Sequence, residues 1–414
     1  MPIGKSEIPD LTLETLQNFV TLWQSPPDIR LAPLFSESDS PSSTIKWESQ
    51  NGGRGLTPFV APDAPAPTTA PMGIAKHSAE AAYWKEKMYF SEVFLNNLRK
   101  EGTTSDYLDS ASRLAREMNG LMYRAQRRKE WMFAQMLFAG SFSYAEEKGT
   151  KISVNYSLDT NHVVSLSAAD KWSTGVSKDI IGSIITGKKK IADDCGGRVD
   201  YAVCNSTVLK YLARDPAIQT LLQRSAFGQG DLFKNTGGNI VGVNPQVVAQ
   251  LLDIQNLVVF DERYEMRAML TQAVTLNNTT DVYVDNIADI VAGDTARLVD
   301  VSAGTYEDKT ITSVTIESSY FTIAVTAASF KAGEDYVVVR KPFVGDTKFC
   351  MFASTVDGQK IAEYKRAPFA LDRHYGIKLD SWDVKDPEGS FIRCQDKGLP
   401  ILYQRDAIYI LTVA

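Results

Sequence analysis

Leu11, Leu13, Leu16, Phe19, Val20 and Leu22 recur near helical spacing, and Pro26-Pro27 follows, which predicts a short amphipathic helix over residues 10–24. Residues 25–43 are rich in Pro and Ser. Thr44 to Ser49 then alternates apolar and polar positions, the period of a strand. The segment TIKWESQNGGRGLTPFVAPDAPAPTTAPMG (44–73) continues into Gly, Pro and Ala that no core can absorb. A loop of that length without regular structure is functional or disordered. Residues 73–90 read either as a strand returning beside the first or as a short helix; the first choice makes a long hairpin projecting from the body.

The strongest periodicity follows. From Ser105 to Glu147, Leu108, Ala111, Leu114, Ala115, Met118, Leu121, Met122, Ala125, Met132, Met136 and Leu137 keep helical spacing, with Ser105 placed to cap the start and Gly149 past the end. About forty residues at 1.5 Å each make a rod about 60 Å long. Its basic run, Arg124, Arg127, Arg128 and Lys129, reads as a solvated or subunit-facing stripe rather than a nucleic-acid site. Ile152, Val154, Tyr156 and Leu158 alternate as a half-buried strand pair.

Beyond Ser177 the texture becomes mixed: helices over 178–195 and 206–223, capped by Ser177 and Ser206, and strands at 199–205, 239–244 and 257–262. Residues 276–348 are rich in Val, Thr and Ile with turns at Gly293-Asp294, Gly304 and Gly333-Glu334, which predicts an inserted small antiparallel barrel or sandwich. The chain closes on EGSFIRCQDKGLPILYQRDAIYILTVA, read as two strands around a Gly398-Leu399-Pro400 turn. The fold class expected is α+β.

Composition narrows the function. The 414 residues are 44% hydrophobic and 23% charged, which is globular, and the net charge of −6 argues against a dedicated nucleic-acid binder. The N-terminus lacks a signal-peptide pattern and no apolar run reaches membrane-spanning length, so a soluble, intracellularly made chain without a membrane partner is expected. Cys195, Cys204, Cys350 and Cys394 lack metal-ligand spacing and are expected as buried free thiols.

Enzyme-like signals are weak. Gly182-Ser183-Ile184-Ile185-Thr186-Gly187-Lys188-Lys189 falls one residue short of a phosphate-cradling loop, because Lys189 stands where Ser or Thr must hold magnesium. It also lies within a predicted amphipathic helix. His77, His162 and His374 have no ligand spacing, and the acidic stretches Asp193-Asp194 and Asp380 to Asp386 read as solvated loops. No catalytic, cofactor-binding or metal-ligating residue is assigned, and no cofactor is expected.

The order of parts carries more. An arm, a projecting hairpin, a rod-like helix, an α/β domain and returning strands suit a shell of identical copies, in which a loop that cannot fold alone lies on a neighbour. Here the sequence resembles the tailed-phage major capsid proteins, specifically the lambda-like major capsid protein E family with the Hong Kong 97-like capsid fold. The resemblance spans roughly Leu11 to Val274 and Phe349 to Ala414. Residues 44–73 look like the family's extended loop and SRLAREMNGLMYRAQRRKEWMFAQMLFAGSFSY like its spine helix. VDYAVCNSTVLKYLARDPAIQTLL is similar to the apical strand and helix, and the final 26 residues, GSFIRCQDKGLPILYQRDAIYILTVA, resemble the closing strands.

By that resemblance, residues 1–44 are an N-terminal arm, 45–90 the extended loop and 91–174 the peripheral domain with its spine helix. Residues 175–275 form the apical domain, 276–348 a β-rich insertion, 349–375 the apical return and 376–414 the peripheral C-terminal strands. The implied function is self-assembly into hexamers and pentamers of an icosahedral head in the virion, made in the host bacterial cytoplasm. That head encloses double-stranded DNA without sequence-specific binding. The implied partners are the chain itself, a separate scaffolding protein, a portal and a decoration protein. An encapsulin-like compartment shell and an α/β enzyme with an appended β domain stand as alternatives.

Overall fold

The computed structural model describes residues 13–23, 28–50, 56–57, 59–61, 65–66, 68, 74–97, 104–145, 151–173, 178–224, 232, 242–274, 280–285, 290–315, 320–323, 330–386 and 388–414. Helix α1 (Leu13–Leu22) turns Leu16 fully inward and leaves Leu22 exposed. After a 3-10 turn at Ala32–Leu34, β1 (Ser36–Asp39) leads to β2 (Thr44–Gln50), β3 (Ile74–Glu80) and β4 (Ala82–Ser91). β2 and β3 pair antiparallel from Thr44↔Glu80 to Gln50↔Ile74. Residues 74–91 are therefore extended, and the helical option is not taken. Ile45, Trp47 and Ser49 are buried while Lys46 and Glu48 are exposed, as a strand with one covered face requires.

Helix α2 (Glu92–Asn97) precedes α3 (Thr104–Phe138), whose 35 residues form the rod. It begins at Thr104, so Ser105 lies inside the helix, and it stops nine residues before the predicted end. Gly140 takes φ +65° and Ser141 enters β5 (Ser141–Ala145), paired with β6 (Lys151–Asn155) from Ser141↔Asn155. A left-handed glycine ends a helix cheaply, and the hairpin claims the backbone groups beyond it. Gly149 lies outside the described residues. The stripe Leu114, Met118, Leu121, Met122 and Ala125 packs with Phe90, Leu379, Ile392 and Cys394. Trp131 to Phe138 instead enter the main core.

β7 (Val163–Ser165) follows a 3-10 turn, so only Lys151–Asn155 of the predicted strand pair is strand before it. Helix α4 (Ile180–Cys195), β8 (Tyr201–Cys204), α5 (Ser206–Arg214), α6 (Pro216–Arg224), α7 (Pro245–Leu251) and β9 (Asn256–Val259) build the α/β part. Its caps differ from those predicted. The Gly182 N–H donates to Asp179 Oδ1 at 2.8 Å and the Val208 N–H to Asn205 Oδ1 at 3.0 Å. Ser177 lies outside the described residues. The helix expected over 206–223 is two helices, because Pro216 has no N–H to continue the ladder and Asp215 caps the second one. Of the strand predicted at 239–244, residues 239–241 lie outside the described residues, and Asn244 caps α7 instead.

Six antiparallel strands follow: β10 (Arg263–Met269), β11 (Thr280–Tyr283), β12 (Thr295–Asp300), β13 (Thr305–Thr315), β14 (Tyr320–Ile323) and β15 (Tyr336–Pro342). Their order is β10-β15-β12-β13-β14-β11, and they enclose their own apolar cluster, including Val282, Leu298, Phe321, Ile323 and Val337.

The last strands are β16 (Lys348–Phe352), β17 (Thr355–Val356), β18 (Gln359–Lys360), β19 (Ala362–Arg366), β20 (Lys378–Lys385), β21 (Glu388–Leu402) and β22 (Ile408–Thr412). β7-β22-β16-β8-β9 form the central sheet of the α/β part. β21 runs 15 residues straight through Gly398-Leu399-Pro400, so the predicted turn is strand. A side chain at 398 would collide with the Tyr364 ring, which explains the glycine. Pairing with β4 ends at Gly398↔Ala82, so Pro400 lies past the place where its missing N–H would be needed on that side. The true reversal is the 3-10 turn Arg405–Ala407.

Candidate assembly surfaces

The enzyme-like motif dissolves into packing. Gly187 lies where α4 crosses the central sheet, and a side chain there would strike Met351 and Tyr409. The Lys188 ammonium donates to the carbonyls of Leu252 and Asp253, both at 2.6 Å, so it closes the end of α7. Burial lowers its pKa, and Asp253 works in the opposite direction.

The three histidines sit on separate elements with separate partners. His77 stacks on Trp47 at 5.4 Å and meets the Ser49 hydroxyl at 2.8 Å. Fully buried His162 places one ring nitrogen 2.9 Å from the Ile408 carbonyl and the other 2.7 Å from Asp194. His374 lies 3.3 Å from the Ile377 carbonyl. Asp194 also holds Lys190 at 2.9 Å, and Asp380 takes Arg393 Nε at 3.0 Å, so neither is the merely solvated loop carboxylate expected. All four cysteines are buried outside any disulfide, and burial pushes the Cys394 thiol up to about 12, which makes it inert. Among the described residues no cluster of His, Cys, Asp and Glu could hold a metal, and no helix is long and apolar enough to cross a membrane.

The surfaces offered to other chains are more telling. Beyond the β2–β3 pair every described residue from 56 to 68 is exposed, and Leu56 and Phe59 show essentially their whole side chains, 96% and 106%. Val60 and Ile74 are about half exposed, at 52% and 48%. Apolar groups held out in this way on a strand pair anchored by Trp47 are surface waiting for a cover.

A second surface is the face of the β4–β21–β20 sheet turned away from α3. The register aligns Tyr89 with Phe391 and Phe391 with Trp382, at ring separations of 4.8 and 5.4 Å. The next row aligns Lys87, Arg393 and Asp380. Lys87 also lies 4.8 Å over the Phe391 ring. An aromatic row bordered by Lys87 and the Arg393–Asp380 pair thus stands on a half-exposed sheet face.

Three residues of the predicted basic stripe on α3, Arg124, Arg127 and Arg128, are exposed as expected, Lys129 is buried, and all four have partners within the chain. Arg124 pairs with Glu86, Arg127 with Asp28 at 3.2 Å, and Lys129 with Glu37 while lying 4.2 Å over the Tyr364 ring. Arg128 lies 5.1 Å over the Trp131 ring. Between them sits Glu130, fully buried, whose carboxylate accepts the N–H groups of Arg30, Leu31 and Ala32. Burial raises its pKa and the three N–H groups partly oppose this. Asp396 lies nearby, its carboxyl raised to about 6 by burial against the pull of Lys129. Sequence reasoning missed both groups; the one available signal was a lone acid, Glu130, between a basic run and an aromatic.

A model of the family described as phage major capsid protein E matches residues 20–248, more than half of the chain. The chain belongs to that family. A crystal structure of a phage-related protein from Bordetella bronchiseptica RB50 superposes with a TM-score of 0.50 at 10% identity, covering 100% of this chain and 98% of the other. A putative capsid protein of a prophage of E. coli CFT073 gives 0.50 at 11% identity, covering 97% and 99%. At such identities the superpositions show a shared fold. No curated protein matches the sequence. As a phage major capsid protein, the chain is a structural subunit of a tailed-phage capsid and associates with itself into the shell of the virion.

Proposed function

We propose that copies of this chain assemble as hexamers and pentamers of an icosahedral head around packaged double-stranded DNA, with the loop between β2 and β3 as the clasp between neighbours. The exposure of Leu56 and Phe59 at the end of an anchored strand pair carries this reading. The loop covers the aromatic row of Tyr89, Phe391 and Trp382 on an adjacent subunit, burying apolar surface on both. The protein performs no chemistry of its own.

Within this reading, residues 1–44 are the arm, 45–90 the extended loop, and 91–174 with 376–414 the peripheral domain. Residues 175–275 with 349–375 form the apical domain and 276–348 an insertion in it. A separate scaffolding protein guides assembly, a portal occupies one vertex, and a decoration protein binds outside. The net charge of −6 suits a wall that admits DNA without gripping it.

Deleting residues 51–73 tests the clasp. The expected product keeps its circular dichroism and urea midpoint but sediments as small species. Shells formed by the deleted chain would refute the role given to the loop.

A further inference from the structure

The connection between β19 and β20 is braced more firmly than a surface loop requires. Phe369 and His374 exchange backbone hydrogen bonds of 3.1 and 2.9 Å, which closes a four-residue tip from Ala370 to Arg373. Ala370 and Arg373 both take the left-handed conformation, φ +58° and +52°, without being glycines. That conformation is costly for a residue with a side chain and persists where the surroundings enforce it. Three contacts at the base do so. Phe369 is buried against the Tyr83 ring at 5.9 Å, the Arg373 guanidinium donates to the Pro41 carbonyl at 3.2 Å, and Asp372 holds Lys378. The braced tip presents Leu371, 98% exposed. A single exposed leucine is ordinary, but one held out between two strained residues is not.

A matching hollow lies elsewhere on the chain. A pocket of about 370 Å³ takes apolar wall from Ile29, Pro33, Pro245 and Leu257, with exposed Arg30 and Gln246 as its polar members. The Arg30 guanidinium donates to the Val259 carbonyl at 3.1 Å and has no carboxylate partner among the described residues. Pocket and tip lie at opposite ends of β1. Pro33 precedes that strand, and Pro41, which Arg373 holds, follows it. Leu371 does not fill the pocket of its own chain, since nearly all of its side chain is exposed.

We propose that Leu371 of one copy seats in this pocket of the next copy, with Asp372 beside Arg30. The inference rests on the shell reading above and adds a contact distinct from the β2–β3 clasp. A closed ring of five or six identical copies needs head-to-tail contacts, in which one patch meets a different one. A knob and a separate pocket on the same chain are such a pair. Burial of the leucine drives the contact, and the opposite charges of Asp372 and Arg30 orient it.

The test places Leu371→Cys and Gln246→Cys in one full-length chain, assembles shells, oxidises them and reads non-reducing gels. The four native cysteines are buried and stay out of the reaction. A ladder of dimers, trimers and longer species is expected from the double variant. An equal mixture of the two single variants should stop at dimers, and neither single variant alone should cross-link. Pro33→Cys serves as a second acceptor position in place of Gln246→Cys. Leu371→Asp should keep the urea midpoint of the unassembled subunit and raise the concentration needed for assembly about tenfold or more. Shells that form without the ladder at either acceptor overturn the contact. Dimers of the Leu371→Cys variant alone, or assembly indifferent to Leu371→Asp, do the same, and each of these results leaves the shell itself standing. A parent chain that forms no shell under any condition overturns the shell reading and this contact with it.

Discussion

Replacing Glu130 with Ala removes the acceptor for three backbone N–H groups at once. Leu31 and Ala32 are buried, so water cannot easily substitute there, whereas Arg30 is exposed. An unpaired buried N–H costs roughly 1–3 kcal/mol, so two give about 2–6 kcal/mol. Part is returned, because the mutant no longer buries a carboxylate, a cost visible in the raised pKa of Glu130. A net loss of about 3 kcal/mol is expected, and about 1–2 for Glu130→Gln, whose amide oxygen still accepts while its NH2 faces a donor. Urea unfolding of the unassembled subunit measures this as a lower midpoint at unchanged slope. Hydrogen exchange at Leu31 and Ala32 should rise in parallel. A Glu130→Ala midpoint within about 0.5 kcal/mol of the parent would refute the claim that this carboxylate pins the arm to the rod.

Three further outcomes follow from the packing. Asp396 has a folded pKa of about 6 against 3.8 free, so the folded chain holds the extra proton between those values. Stability should fall as pH rises through that window by about 3 kcal/mol, and Asp396→Asn should flatten the urea midpoint there; an unchanged pH profile contradicts the assignment. Trp47→Ala removes a buried indole stacked on His77 and should cost about 3–5 kcal/mol in urea unfolding while raising proteolysis between residues 50 and 74. Gly187→Ala forces a methyl against Met351 and Tyr409 and should cost about 1–3 kcal/mol; a neutral result would mean that α4 can move off the sheet.

The rod and the β2–β3 strand pair were legible because each rests on local pattern. Leu114, Met118, Leu121, Met122 and Ala125 recur on one helical face, and no periodicity competes with the Gly/Pro run after Gln50. Boundaries set by distant partners were not legible. Helix α3 ends at Phe138, just before the left-handed Gly140, because residues 141–145 pair with 151–155, although the apolar spacing alone allows more helix. Gly398-Leu399-Pro400 carries turn chemistry, yet β19 holds it extended. β10, RYEMRAM, is poor in β-formers, and its partner strand β15 begins at Tyr336. The cation–aromatic rows join β4 to the β20–β21 hairpin, far from it in sequence, so only the register reveals them.

The central claim is that this chain builds a shell from copies of itself. Negative-stain electron microscopy of the purified protein, paired with sedimentation velocity, tests it most directly. Closed shells, tubes or rings of five or six subunits are predicted, alone or with a scaffold supplied. A monomer or dimer under every condition, scaffold included, would contradict the account.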